Sequence, residues 1–268
     1  MLTMGVDIGS TASKAVIMEN GIRILARQVV AVGTGTRGPS EVYRKVLEEA
    51  GVSRSGLARV VATGYGRLKF TEADRELSEV SCHGRGMSFL CPGVRTVIDI
   101  GGQDAKAMVL DENGNLDNFI MNDKCAAGTG RFLEAMARVL DVQTEDMGAL
   151  SQQAEHPVSI SSTCAVFAES EVISRLSAGE KVEDILAGIH ASVAKKVSGL
   201  AVRAGCIPQV AMSGGVAKNC GIVRAMEQEL SCPILVPEDC QLAGAIGAAL
   251  FAYRDIERQM KENEIGIL

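Results

Sequence analysis

Apolar residues cluster at positions 2–8, 15–18 and 24–32, with polar or glycine-containing segments between them. Blocks of this length, separated by turn residues, predict three successive strands. Thr34-Gly35-Thr36-Arg37-Gly38-Pro39 reads as a loop. Ser40 is expected to cap a helix reaching about Glu49, with Val42, Val46 and Leu47 on its apolar face. A buried strand over 59–63 ends in Gly64-Tyr65-Gly66, and a helix over 76–90 stops at Pro92. Strands follow at 96–100, 106–110 and 116–121. Helical spacing then dominates, over 128–140, 166–176 and 182–203. A strand at 209–212 runs into a glycine pair and a helix to Leu230. A short strand at 233–236 and a helix from Gln241 to about Lys261 complete the pattern.

Strand triplets followed by helices, given twice, predict an α/β protein of two lobes with one mixed sheet in each. The expected boundary lies near 93–96. The first lobe takes residues 1–94 and is completed by a C-terminal helix, 245–268; the second takes 95–244.

Each lobe opens with the same short pattern. Val6-Asp7-Ile8-Gly9-Ser10-Thr11-Ala12-Ser13-Lys14-Ala15-Val16 is repeated, in register, by Ile98-Asp99-Ile100-Gly101-Gly102-Gln103-Asp104-Ala105-Lys106-Ala107-Met108. Both copies read strand, tight polar turn, strand. They are either ordinary hairpins with glycine at the turn or a pair of tips whose backbone N–H groups grip a polyphosphate from both sides. On the second reading Asp7 and Asp104 are placed for Mg²⁺ and Lys14 for phosphate. Ser10, Thr11 and Ser13 supply hydroxyls, while Ala12, Gly101 and Gly102 supply backbone. Gln103 positions a water. The alternative for these side chains is turn and solvent-facing polarity.

Composition narrows the classes. Of 268 residues, 47% are hydrophobic and 22% charged, as in a globular domain. A net charge of −6, with 3% aromatics and no Trp, offers nucleic acid neither a basic footprint nor a stacking surface. No signal-peptide pattern precedes the first strand, and no apolar run is expected to reach a membrane span, so a cytoplasmic location is expected. The eight cysteines include no C-x-x-C pair, which leaves zinc ribbons and thioredoxin chemistry without support. Most are expected to be small buried residues. Cys125 and Cys164 precede predicted helices, and their spacing fits no usual single-chain cluster motif. On spacing alone they read as low-pKa thiols at helix starts or as inert core cysteines.

With both hairpins placed, the chain resembles the ASKHA superfamily of sugar kinases, actin and Hsp70-type chaperones, a ribonuclease H-like, actin-like ATPase fold. Asp7 to Lys14 matches the first phosphate loop and Asp99 to Asp104 the second. Met212-Ser213-Gly214-Gly215-Val216-Ala217-Lys218-Asn219 matches the adenosine motif, and Leu242 to Leu250 the closing helix. The resemblance implies nucleotide contacts for Gly214, Gly215, Asn219 and Gln241. Glu134 reads either as a ribose contact or as a surface glutamate.

A narrower resemblance rests on Met121-Asn122-Asp123-Lys124-Cys125-Ala126-Ala127-Gly128-Thr129-Gly130-Arg131-Phe132 and on Ser161 to Glu171. It also rests on residues 32–36, 62–67 and 79–83. These are similar to the activators, component A, of 2-hydroxyacyl-CoA dehydratases, in the BadF/BadG/BcrA/BcrD-type ATPase family. The match spans essentially the whole chain. It implies an ATP-hydrolysing homodimer with ATP/ADP, Mg²⁺ and one [4Fe–4S] cluster held by Cys125 and Cys164 of both subunits. A two-fold axis doubles each ligand, giving four thiolates. Helix N-termini then direct donors at the anionic cluster, with Ser161, Ser162 and Thr163 as capping hydroxyls.

The resemblance further implies a ferredoxin or flavodoxin as electron donor and a dehydratase, component D, as acceptor, with ATP changing the angle between the lobes. Cluster-free small-molecule kinase, nucleotide-switched binding protein and ATPase subunit of a benzoyl-CoA-type reductase are the alternatives on the same fold.

Overall fold

The computed structural model describes residues 1–160 and 164–265. In chain order the elements are β1 (Leu2–Ile8), β2 (Ser13–Glu19), β3 (Arg23–Val30), α1 (Gly38–Ala50), β4 (Arg59–Thr63), β5 (Arg75–Glu76) and α2 (Glu79–Leu90). They continue with β6 (Thr96–Ile100), β7 (Ala105–Leu110), β8 (Leu116–Asn122), α3 (Gly130–Leu140), α4 (Met147–Ser151), α5 (Ala165–Ser177) and α6 (Val182–Ala204). The last are β9 (Val210–Ser213), α7 (Cys220–Leu230), β10 (Ile234–Leu235) and α8 (Ala243–Ile265). The chain divides into two compact units. The first holds residues 1–92, 113–116 and the chain from Gln241 on; the second holds 93–112 and 117–240.

The first unit is built on a five-stranded sheet ordered β3-β2-β1-β4-β5. β1 pairs antiparallel with β2 and parallel with β4. On one face α1 buries Val42 and Val46 against Met4, Val6, Ile8, Ile17 and Val60. On the other, α8 buries Ala245, Ile246 and Ala249 against Val16 and Met18, and Thr3 Oγ donates to the Ala249 carbonyl at 3.1 Å. Small residues along α8 let its backbone come this close.

The second unit repeats the plan. Its sheet, ordered β8-β7-β6-β9-β10, pairs β6 antiparallel with β7 and parallel with β9. α3, α5, α6 and α7 pack around it through one core that includes Ile98, Ile100, Leu133, Met136, Ile185, Ile189, Val193 and Ile222. Each fully buried side chain of this size stabilises the fold by roughly 1.5–3 kcal/mol.

Several boundaries differ from the sequence expectation for local reasons. α1 begins at Gly38 rather than after a Ser40 cap, because Pro39 is tolerated in a first turn whose N–H groups lack helical partners. α2 begins at Glu79, since Arg75 and Glu76 join β4 as an edge strand. The expected absence of a span-length apolar segment also needs correction. By length and composition alone α6 is long and apolar enough to cross a membrane, yet its Ile185, Leu186, Ile189, Val193 and Val197 are buried in the second unit's core.

Candidate functional site

The two repeated hairpins fold alike. In the first, Asp7 lies opposite Lys14 in the β1–β2 register, and Gly9 N–H closes the turn on the Ala12 carbonyl at 3.0 Å. In the second, Asp99 lies opposite Lys106 in the β6–β7 register, and Gly101 N–H closes on the Asp104 carbonyl at 2.9 Å. Lys14 Nζ is 3.0 Å from Asp7 Oδ2. Lys106 Nζ is 3.3 Å from Asp99 Oδ2 and 2.7 Å from Asp104 Oδ2. The repeated Asp–Lys pair is therefore a cross-strand ion pair in both units.

Around Asp7 the first unit adds a buried histidine. His83 Nε2 lies 3.9 Å from Asp7 Oδ2 and 4.0 Å from Glu79 Oε1. Asp7 itself is only 1% exposed, and its Oδ1 has no hydrogen-bond partner among the described residues. A buried carboxylate oxygen left unsatisfied is costly unless a cation or water meets it. At the turn, Ser10 and Thr11 are half-buried while Ala12 and Ser13 are buried. The Ser13 hydroxyl donates to the Val32 carbonyl at 2.9 Å. Neighbouring Cys82 is a core thiol that burial pushes up to about 12.

In the second unit Ser213, at the end of β9, donates to Asp99 Oδ1 at 2.7 Å. Gly214 follows with φ +88°, where an added Cβ would run into the Ile100 carbonyl and lie 2.9 Å from Asp99 Oδ1, so this bend needs glycine. Gly215 is exposed beside it. Asn219 caps α7, its Oδ1 accepting from Gly221 N–H at 3.0 Å and Ile222 N–H at 3.1 Å. Its amide nitrogen sits 3.3 Å from His190 Nε2, and burial pushes His190 down to about 4. Gln103 is exposed at the second tip, with Gly101 and Gly102 half-buried. Glu134 is half-buried on α3, and Gln241 is half-buried in the single turn leading into α8.

The second tip is tied to the cysteine segment. Gly130 and Arg131 N–H, in the first turn of α3, donate to the Gly101 and Gly102 carbonyls, each at 2.9 Å. Cys125 lies in the loop just before this turn. Asn122 Nδ2 holds its carbonyl at 3.1 Å, and Lys196 Nζ on α6 donates to its Sγ at 2.9 Å. The Lys196 hydrogen bond, aided by the Ala127 N–H and outweighing burial, holds the thiol below the usual cysteine range. Cys164 is the exposed N-cap residue of α5. Ser161, Ser162 and Thr163, expected to cap that helix, lie outside the described residues.

Asp99, Lys106 and Ser213 lie within the motifs read from sequence but have no individual role there, and Lys196 lies in none of them. The repeat carried the signal for the first two, since it aligns Asp99 with Asp7 and Lys106 with Lys14. Lys196 has no local signal. It reaches Cys125 only through the packing of α6.

A family model described as the BadF/BadG/BcrA/BcrD ATPase family matches residues 4–252. The chain is 56% identical over 262 residues, 98% of each chain, to the 2-hydroxyisocaproyl-CoA dehydratase activator of Clostridioides difficile. It is 53% identical to the (R)-2-hydroxyglutaryl-CoA dehydratase activating ATPase of Acidaminococcus fermentans, over 94% of this chain and 97% of the relative. The solved activator of the 2-hydroxyisocaproyl-CoA dehydratase from Clostridium difficile, with bound ADPNP, superposes with a TM-score of 0.94 at 56% identity, covering 98% of both chains.

Proposed function

The chain belongs to the BadF/BadG/BcrA/BcrD ATPase family, and from that membership we propose that it is an ATP-hydrolysing electron-transfer activator of a 2-hydroxyacyl-CoA dehydratase. The observation that carries this reading is full-length identity to dehydratase activators together with an intact Asp–Lys hairpin in each unit. We assign it a cytoplasmic location, a ferredoxin or flavodoxin as donor, and a second copy of itself as constant partner.

In this reading the nucleotide-binding residues of the first unit, for ATP or ADP, are the β1–β2 turn amides with the hydroxyls of Ser10 and Thr11, and those of the second are the β6–β7 turn amides and the Gly214–Gly215 bend with Asn219. Asp7 has the chemistry for Mg²⁺: a buried carboxylate with one unsatisfied oxygen. The metal would offset charge on the phosphate oxygens during hydrolysis. Asp104 is held by Lys106 and contributes through that pair, while exposed Gln103 orients the attacking water. Hydrolysis breaks the bond to the terminal phosphoryl group and yields ADP and phosphate.

Cys125 and Cys164 suit an iron–sulfur cluster. One thiol is half-exposed and held toward thiolate; the other is exposed; both lie at or just before a helix N-terminus. Two sulfurs per copy make four only in a dimer. Bound there, a [4Fe–4S] cluster would supply a one-electron carrier. The Gly101–Gly130 and Gly102–Arg131 hydrogen bonds give the phosphate turn a rigid route to the Cys125 loop.

The test is an anaerobic mixture of this protein, a 2-hydroxyacyl-CoA dehydratase, a low-potential reductant and MgATP. ATP-dependent appearance of the enoyl-CoA, lost on chelating Mg²⁺, is the expected result. ATP-dependent phosphorylation of a sugar or acid, with the dehydratase left inactive, would overturn the proposal.

A further inference from the structure

Lys196 is the group outside the assigned site that bears most directly on it. Its ammonium donates to Cys125 Sγ at 2.9 Å, and both residues belong to the second unit. The lysine stem lies within ordinary van der Waals range of the loop. Gly128 has φ +97°, and a Cβ built there would lie 3.5 Å from Lys196 Cδ and 3.5 Å from Val197 Cγ2. The lysine stem thus runs beneath the backbone of the Cys125 loop. The loop above it is pinned at three points: Asn122 to the Cys125 carbonyl, Thr129 Oγ to the Ala126 carbonyl at 2.6 Å, and Gly130 N–H to Gly101. Lys195, its neighbour on α6, is exposed.

We propose that Lys196 is a positioning residue that fixes the orientation of the Cys125 sulfur and, by its positive charge, sets how readily this centre accepts an electron. The inference rests on the reading of Cys125 as a cluster ligand. A fixed cation beside a ligand sulfur favours the state carrying one more negative charge, and a half-buried position limits screening. A two-fold dimer places one such lysine on each side of the axis. Removing both charges makes reduction harder, and arginine preserves the charge.

The experiment is an anaerobic redox titration of the iron-loaded dimer, followed by electron paramagnetic resonance, for wild type, Lys196→Gln, Lys196→Arg and Lys195→Gln. Lys196→Gln should shift the equilibrium toward the oxidised form at least tenfold, about 59 mV for one electron. Lys196→Arg should recover most of that shift, and Lys195→Gln should stay within about twofold of wild type. If Lys196→Gln loses iron while Lys196→Arg retains it, the positioning role stands. Equal midpoints for wild type and an iron-loaded Lys196→Gln overturn the inference and leave the ligand assignment intact. Loss of iron in both Lys196 variants also overturns it, because charge is then not what the site needs. Failure of wild type itself to bind iron overturns the underlying reading instead.

Discussion

The two hairpins differ at one informative position. Both close the same turn with an Asp–Lys pair across the strands, but Ala12 stands in the first where Asp104 stands in the second. Lys14 Nζ meets the Asp7 carboxylate at 3.0 Å and keeps 15% of its side chain exposed. Lys106 is shared by two carboxylates and is 1% exposed. Of the four successive turn positions at which the tips differ (Ser10/Gly102, Thr11/Gln103, Ala12/Asp104, Ser13/Ala105), it is Asp104 that brings a second acid to the buried lysine. Fold repetition and chemical repetition are separate matters here: the sheet order repeats, while the charge balance at the tips does not.

The strongest way to break this comparison is to remove the lysines. Lys106→Met leaves two buried carboxylates without their cation and should cost about 3–5 kcal/mol of stability in urea unfolding. Lys14→Met leaves one and should cost about 1–3 kcal/mol. Equal losses would contradict the distinction. Converting the second tip to the first sharpens it: in an Asp104→Ala background the cost of Lys106→Met should fall toward that of Lys14→Met, giving a coupling of roughly 1–3 kcal/mol in a double-mutant cycle.

Next in size is hydrolysis. Asp7→Asn should lower the steady-state rate of ATP hydrolysis by about a hundredfold or more, near 2.7 kcal/mol of transition-state stabilisation. Rates within a few-fold of wild type would remove Asp7 from the Mg²⁺ role.

A pH effect arises in the second unit. Burial holds His190 at about 4, below its ordinary value of 6.5. Between those values the unfolded chain binds the proton and the folded one does not, so stability falls as pH drops from about 6.5 to 4. The contribution is about 3 kcal/mol. His190→Asn should flatten that part of the stability profile relative to wild type; an unchanged slope would contradict it. The smallest effect is Asn219→Ala, which removes the α7 cap and should cost about 1 kcal/mol.

Much of this was legible in the sequence because the signals were local. Alternation and glycine turns located β1, β2, β6 and β7, and the in-register repeat located both tips. What sequence could not supply was set by packing. Pro39 moved the start of α1, and pairing with β4 drew Arg75 and Glu76 into a strand that reads as helix start. The sharing of Lys106 by two acids depends on how the Asp104 turn folds back. Lys196 lies far along the chain from Cys125, on a helix whose apolar face gives no hint of a thiol partner.

The most direct test of the account is iron and acid-labile sulfide analysis of the anaerobically reconstituted protein. Wild type should hold about four of each per dimer, while Cys125→Ser and Cys164→Ser should each lose the cluster and still bind ATP. A wild-type protein that stays colourless and iron-free after reconstitution, or a full cluster in both serine variants, would contradict it.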